Sequence, residues 1–297
     1  MCWRFHCNND VKLQAVSLAT TWSRSIGIDA PIINAPMGGA AGGRLAAAVS
    51  AAGGLGMVGM GSSATAEQLA AELTQLDGQR FGIGLVHWVI QDRPDLLEVA
   101  LAARPALLSV SFGEDWDWVR RAHDVGLTVT TQVATVDAAR CAVDAGVDVV
   151  VARGAEGGGH GEPTVGTLPL LAEVLDAVDV PVLAAGGISS ARAVAAVLAA
   201  GAGAAWVGTA FAACAEALTP AAARAALLAA DSDATELTTE YDVAAGYRWS
   251  ATIPERVLRG SPVNAGQGVG VMRHPATAAE IVTSLSEGAA ELLARWR

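Results

Sequence analysis

From Pro31 to Ala230 the chain repeats one pattern eight times: a short apolar, often β-branched run, then an alanine-rich run of helical length. The strand-like runs are Pro31–Pro36, Leu55–Met60, Arg80–Val86, Ala106–Phe112, Leu127–Val133, Val147–Ala152, Pro181–Gly187 and Ala204–Ala210. The helical runs after them are Arg44–Ala52, Thr65–Leu76, Pro94–Ala103, Asp115–Val125, Val136–Ala145, Thr167–Ala177, Ala191–Ala200 and Pro220–Ala230. Alternation with short connections implies a parallel sheet covered by helices. Eight units in this length suit a closed (β/α)8 barrel better than an open doubly wound sheet. Four helical runs end in related phrases, AAGG, DVGL, DAGV and AAGAGA, whose glycines suit the left-handed position after a helix. The recurrence favours one repeated architecture over two domains.

After Ala230 the alternation stops. Asp231–Gly260 is polar and carries Tyr241, Tyr247 and Trp249, Ser261–Gly270 is rich in Gly and Pro, and a last helix is predicted over Thr277–Trp296. The α/β chain therefore divides into an N-terminal extension (1–30), a barrel (31–230) and a C-terminal extension (231–297) packed on the barrel as a cover, partly near its mouth. Met1–Gln14 has no apolar core segment and is expected to be an extension, not a secretory leader.

Composition narrows the function. Hydrophobic residues make up 52% of the chain and charged residues 16%, enough for a large core. A net charge of −11 with no Lys/Arg cluster argues against a nucleic-acid surface. Ala191–Ala215 is apolar apart from Arg192, but Gly201 and Gly203 divide it into helix-length and strand-length pieces, so it reads as soluble core and not as a membrane span. Cys2, Cys7, Cys141 and Cys214 form neither a disulfide framework nor a zinc spacing. No metal is expected, and the compartment is expected to be reducing and cytoplasmic.

The chemistry concentrates where strands end. Val147–Gly161 runs from a buried β-branched strand into Gly154, Glu156 and three consecutive glycines, and delivers His160. A strand that stops in glycines lets backbone approach a ligand closely, and an imidazole there suits acid–base work at neutral pH. Glu156 is the candidate to orient that imidazole or to bind backbone. Gly186 and Gly187 end the seventh strand before a helix that opens near Ser189, while Gly208 and Thr209 end the eighth. Backbone N–H groups at a helix start converge on an anion, and in such barrels these two loops often hold a phosphate. A phosphorylated cofactor such as FMN fits, and so does a sugar phosphate. Arg192 could assist. His87, at the end of the third strand, faces the predicted mouth as a candidate substrate contact.

These segments resemble the nitronate monooxygenases, the 2-nitropropane dioxygenase-like FMN proteins. The resemblance is carried, in order, by INAPMGG (Ile33–Gly39), SAAGGLGMVG (Ser50–Gly59), GAEGGGHG (Gly154–Gly161), LAAGGIS (Leu183–Ser189), VGTAF (Val207–Phe211) and PERVLRG (Pro254–Gly260). It implies a TIM barrel that binds FMN non-covalently, with His160 as catalytic base. It puts the cofactor against Ala35, Pro36, Met37, Gln132, Gly154, Gly186, Gly187, Gly208 and Thr209. Gln132 falls where family members direct a polar or basic group at the flavin. Three positions depart from the pattern: Arg153 stands where glutamine is common, Gly157 where alanine is usual, and Gly84 where many members carry asparagine.

The activity implied is oxidation of alkyl nitronates with O2 to carbonyl compounds and nitrite. The same scaffold hosts NAD(P)H-dependent quinone reductases and FMN-type enoyl-[acyl-carrier-protein] reductases, so those activities are the alternative, and a non-catalytic FMN-binding protein is a third reading. The expected partners are a small-molecule substrate, O2, NAD(P)H in the reductase reading, and a second copy of the chain in a homodimer.

Overall fold

The structure is a computed structural model that describes residues 18–295. Cys2, Cys7 and Trp296, together with most of the N-terminal extension, lie outside the described residues. The strands are β1 (Ile32–Asn34), β2 (Gly56–Gly59), β3 (Phe81–Val86), β4 (Leu107–Ser111), β5 (Val129–Val133), β6 (Val149–Arg153), β7 (Gly159–His160), β8 (Val182–Ala185), β9 (Ala205–Val207), β10 (Thr235–Thr238) and β11 (Glu255–Leu258). Eight of them form one parallel sheet in the order β1-β9-β8-β6-β5-β4-β3-β2, with helices between them. This is the (β/α)8 barrel that the alternation predicts. Gly53, Gly126, Gly146 and Gly201, one glycine from each of the four recurring phrases, take φ values of +92°, +75°, +93° and +109°, where a Cβ would carry the left-handed penalty.

The strands sort their side chains by parity, as pleating requires. Ile33, Leu55, Met57, Leu107, Val149, Val151, Leu183, Ala185 and Trp206 fill the barrel, while Ile32, Val58, Ile83, Leu108, Val150, Ala184 and Val207 pack outward under the helices. Trp22 and Ile28 join the inner cluster from the short helix Thr21–Ser25 and the turn after it. The sequence immediately before β1 thus contributes core to the barrel.

The closing seam between β1 and β2 is thin, with one bridge from Ile33 to Leu55. Asn34 reinforces it. Its fully buried amide donates from Nδ2 to the Met57 carbonyl at 2.9 Å and accepts from the Met57 N–H at 2.8 Å, standing in for a missing pair of ladder bonds. Asn34→Leu leaves both Met57 groups buried and unpaired, at about 1–3 kcal/mol each. We expect denaturant unfolding to report a loss of about 2–6 kcal/mol.

The eighth helical position is not filled by the helix next in sequence. Ala221–Ala229 packs on the 3-10 turn Gln267–Val271, whereas Ala278–Ala294 packs on the helices Ala191–Ala199 and Gly43–Ala51 and on β1. Its apolar face (Ala278, Val282, Leu285, Ala289) belongs to the main core, and Thr277 and Glu280 start it with a capping box. Residues 230–277 are therefore a detour inserted before the last helix. A further helix, His87–Asp92, directly follows β3, where the sequence pattern showed only the helix Pro94–Ala103, observed as Pro94–Ala102. Among the described residues no helix is long and apolar enough to cross a membrane.

Candidate active site

The loops at the C-terminal ends of the strands bring most of the singled-out residues together. Ala35 N–H donates to Val207 O at 2.8 Å at the end of the β9 ladder, and Met37 N–H donates to Ala35 O. A Cβ on Gly208 would lie 3.7 Å from Met37 Sδ and 3.8 Å from Ala35 Cβ, so these two loops touch. Pro36 lies over β3: a Cβ on Gly84 would fall 2.2 Å from its ring. With Pro36 in that place, a side chain at position 84 has no room. Gln132 shares the inward parity of Thr130 on β5 and is half-buried.

Around the second cluster, Gly154 N–H donates to Ala185 O at 2.8 Å, and Thr167 Oγ1 donates to Gly186 O at 2.9 Å. Gly186 and Gly187 have φ of +117° and +65°, and a Cβ on Gly186 would lie 2.5 Å from Thr167 Oγ1. The N–H groups of Gly187, Ile188, Gly208 and Thr209 donate no hydrogen bond within the described residues. Unpaired donors at two adjacent strand ends form a cradle for a phosphate or other anion. Thr209 Oγ1 is taken by the N–H of Gly266, which ties the detour to this cradle. Arg192 is exposed, on the helix Ala191–Ala199.

His160 sits on β7, which the detour holds in place. β7 pairs antiparallel with β11, setting His160 opposite Glu255, and β10 completes this small sheet. His160 Nε2 lies 2.8 Å from Asp242 Oδ2, with side-chain exposures of 15% and 8%. The Trp249 indole stacks on the imidazole at 3.6 Å with an interplanar angle of 8°. Trp249 is itself held by a bond from Nε1 to Ser62 Oγ at 2.9 Å and by the edges of Phe112 and Trp88. Phe112 has φ of +71°, a costly conformation for an aromatic residue and one that recurs at functional sites. Burial pushes the His160 imidazole below its ordinary value near 6.5, against the pull of the Asp242 carboxylate, so it is neutral at pH 7.

Glu156 takes the second of its two expected roles. It accepts from Thr167 N–H at 2.9 Å and from Thr167 Oγ1 at 2.8 Å, capping the helix Thr167–Ala177. Asp242 orients His160 instead. His87 opens the helix after β3 and is buried against Gly113, where a Cβ would lie 2.1 Å from its ring, with Asp115 nearby. Sequence reasoning missed Asp242, Trp249, Phe112 and Glu255. Only the aromatic character of Asp231–Gly260 and the PERVLRG segment hinted at them.

Glu255 is buried, and burial, reinforced by the neighbouring Asp242 charge, raises its carboxyl to about 7, with a hydrogen bond from Asn264 opposing. The folded chain therefore holds this proton more tightly than the unfolded one. The stabilisation is complete below the unfolded value near 4.5 and is lost as pH rises through about 7. Glu255→Gln is expected to raise the thermal midpoint relative to the parent at pH 8 and to leave it unchanged at pH 4.5, as differential scanning calorimetry would read.

A barrel mouth that joins a backbone cradle to a part-buried histidine–carboxylate pair defines a cofactor-using barrel enzyme, not a structural barrel. The chain belongs to the nitronate monooxygenase family, a family of flavin-dependent oxidoreductases, whose model matches residues 20–81 and 87–253. It is 33% identical over 248 residues to the Mycobacterium tuberculosis (3aS,4S,5R,7aS)-5-hydroxy-7a-methyl-1-oxo-octahydro-1H-indene-4-carboxyl-CoA dehydrogenase, covering 82% of this chain and 66% of that protein. It is 34% identical over 254 residues to the nitronate monooxygenase of Pseudomonas aeruginosa, covering 69% of this chain and 72% of that protein. Among solved structures, FabK from Thermotoga maritima superposes with a TM-score of 0.83 at 27% identity, covering 94% of this chain and 99% of that one.

Proposed function

We propose that this chain is an FMN-dependent nitronate monooxygenase that converts alkyl nitronates and O2 to carbonyl compounds and nitrite, with His160 as general base. The observation that carries the reading is the part-buried His160–Asp242 hydrogen bond beside the backbone cradle. The cradle suits the phosphate of FMN, since Gly187, Ile188, Gly208 and Thr209 supply N–H donors where a Cβ on Gly186 has no room. Ala35, Pro36, Met37, Gln132 and Gly154 would complete the cofactor site.

A carboxylate oxygen of Asp242 accepts from the ring, so His160 Nε2 carries the proton and Nδ1 keeps its lone pair. Nδ1 then takes the acidic C–H proton of a neutral nitroalkane, while Trp249 fixes the ring plane and sheds water from its face. The resulting positive charge is stabilised by Asp242, as in other histidine–aspartate pairs. Bound FMN supplies electron acceptance and the reaction with O2.

The similarity to a carboxyl-CoA dehydrogenase over most of the chain favours one second reading: oxidation or reduction beside a thioester carbonyl, with NAD(P)H as a co-reactant in the reductive direction. Both substrate classes present an acidic C–H to the same base. Aerobic incubation of the FMN-loaded protein with propyl-2-nitronate separates them. Release of acetone and nitrite supports the proposal, while no nitrite together with turnover of an acyl-CoA supports the second reading.

A further inference from the structure

Arg153 ends β6 with the inward parity of Val149 and Val151, and only 5% of it is exposed. Its Nη2 donates to three carbonyls in succession, Gly157 O at 2.9 Å, Gly158 O at 3.2 Å and Gly159 O at 3.1 Å. Its Nε and Nη1 donate to no described residue, and no carboxylate among the described residues lies within ion-pair distance. The loop that carries His160 is shaped around this guanidinium: a Cβ on Gly157 would lie 2.9 Å from Nε, and one on Gly161 would lie 2.2 Å from Nη1. A Cβ at 157 would crowd the guanidinium, so Arg153 and Gly157 pack as neighbours.

A buried cation bonded only to neutral carbonyls is under-compensated unless an anion arrives. No neighbouring carboxylate pairs with it directly. Arg256 repels it, the Glu156 charge favours it only from beyond ion-pair distance while its oxygens accept from Thr167, and His160 is neutral. Burial lowers the guanidinium to about 10, so it stays charged from pH 6 to 9.

We infer that Arg153 is a specificity-determining residue: its free guanidinium edge receives the negative charge of a planar anionic substrate head group. On the reading above, that head group is the O–N–O of a nitronate, so the mouth favours the preformed anion over the neutral nitroalkane. A carboxylate has the same charge and shape and is a non-reacting probe, suited to the donor fork of arginine.

The test is calorimetric titration of the FMN-loaded protein with propionate and with its neutral isostere propionamide at pH 6, 7.5 and 9. The parent should bind propionate at least about 10-fold more tightly, as one charge-assisted hydrogen bond implies, and the preference should persist to pH 9. Arg153→Gln should abolish the preference, and Arg153→Lys should keep part of it. Equal binding of the two probes by the parent overturns the inference. So does a preference that vanishes above pH 7, which would belong to the His160 imidazolium. A lowered flavin midpoint potential in Arg153→Gln with unchanged propionate affinity also overturns it, because the charge would then serve the cofactor ring. Should Arg153→Gln lose its circular dichroism, the parent's pH series and Arg153→Lys decide. Propionate preference without nitronate turnover sinks the proposed function and leaves this role standing; turnover without preference does the reverse.

Discussion

His160→Asn is expected to lower turnover of neutral 2-nitropropane by about 10²–10⁴-fold, the usual contribution of a positioned general base. Turnover of the preformed nitronate should fall by no more than about 10-fold, since that substrate has already lost its proton. The asymmetry follows from the geometry. The neutral imidazole, with Nε2 bonded to Asp242 at 2.8 Å, offers Nδ1 as the basic atom of the pair. Asparagine keeps the bulk and polarity under Trp249 but cannot accept a carbon-bound proton. Parallel steady-state assays with the two substrate forms read the split, and equal losses on both would remove His160 from the proton step.

Asp242→Asn is the second large effect. An amide in place of the carboxylate can donate to His160 Nε2, which moves the ring proton to Nδ1 and hides the basic atom. Where such a change is made in a buried histidine–aspartate pair, rates fall by as much as about 10⁴-fold, and we expect at least about 10²-fold on the neutral nitroalkane. The pH dependence carries a second signature. Asp242 holds the His160 proton affinity up against burial, so its removal lets that affinity fall further. The limb of the rate profile that rises as His160 loses its proton must therefore move to lower pH. A reduced rate with an unmoved limb would mean that Asp242 only shapes the loop.

How far the sequence revealed all this differs from element to element. The barrel strands and the left-handed glycines after its helices follow from period and local backbone chemistry, which neighbours in sequence determine. His160 and the Gly186–Gly187 and Gly208–Thr209 turns were legible because a strand that breaks into glycine has few other uses. Asp242 was not, for it lies 82 residues from its partner in a segment without periodicity. Proximity in sequence instead put Glu156 forward, four residues from His160, and one of the two roles offered for it, the backbone cap, is the one the fold uses. The eighth helical position was hidden in the same way: Ala221–Ala229 has a helical pattern, but the better-formed apolar stripe of Ala278–Ala294 takes the place against the barrel. Asn34 looked like part of a strand, and only pairing across the seam reveals its amide as a substitute for backbone.

The most direct measurement is anaerobic. FMN-loaded protein is mixed with an alkyl nitronate in one syringe experiment and with NADH or NADPH in another, while the flavin absorbance is followed. Rapid loss of the oxidised flavin band with the nitronate alone is the predicted result. Loss of that band with a reduced nicotinamide alone would contradict a nitronate monooxygenase and assign the chain to the reductases.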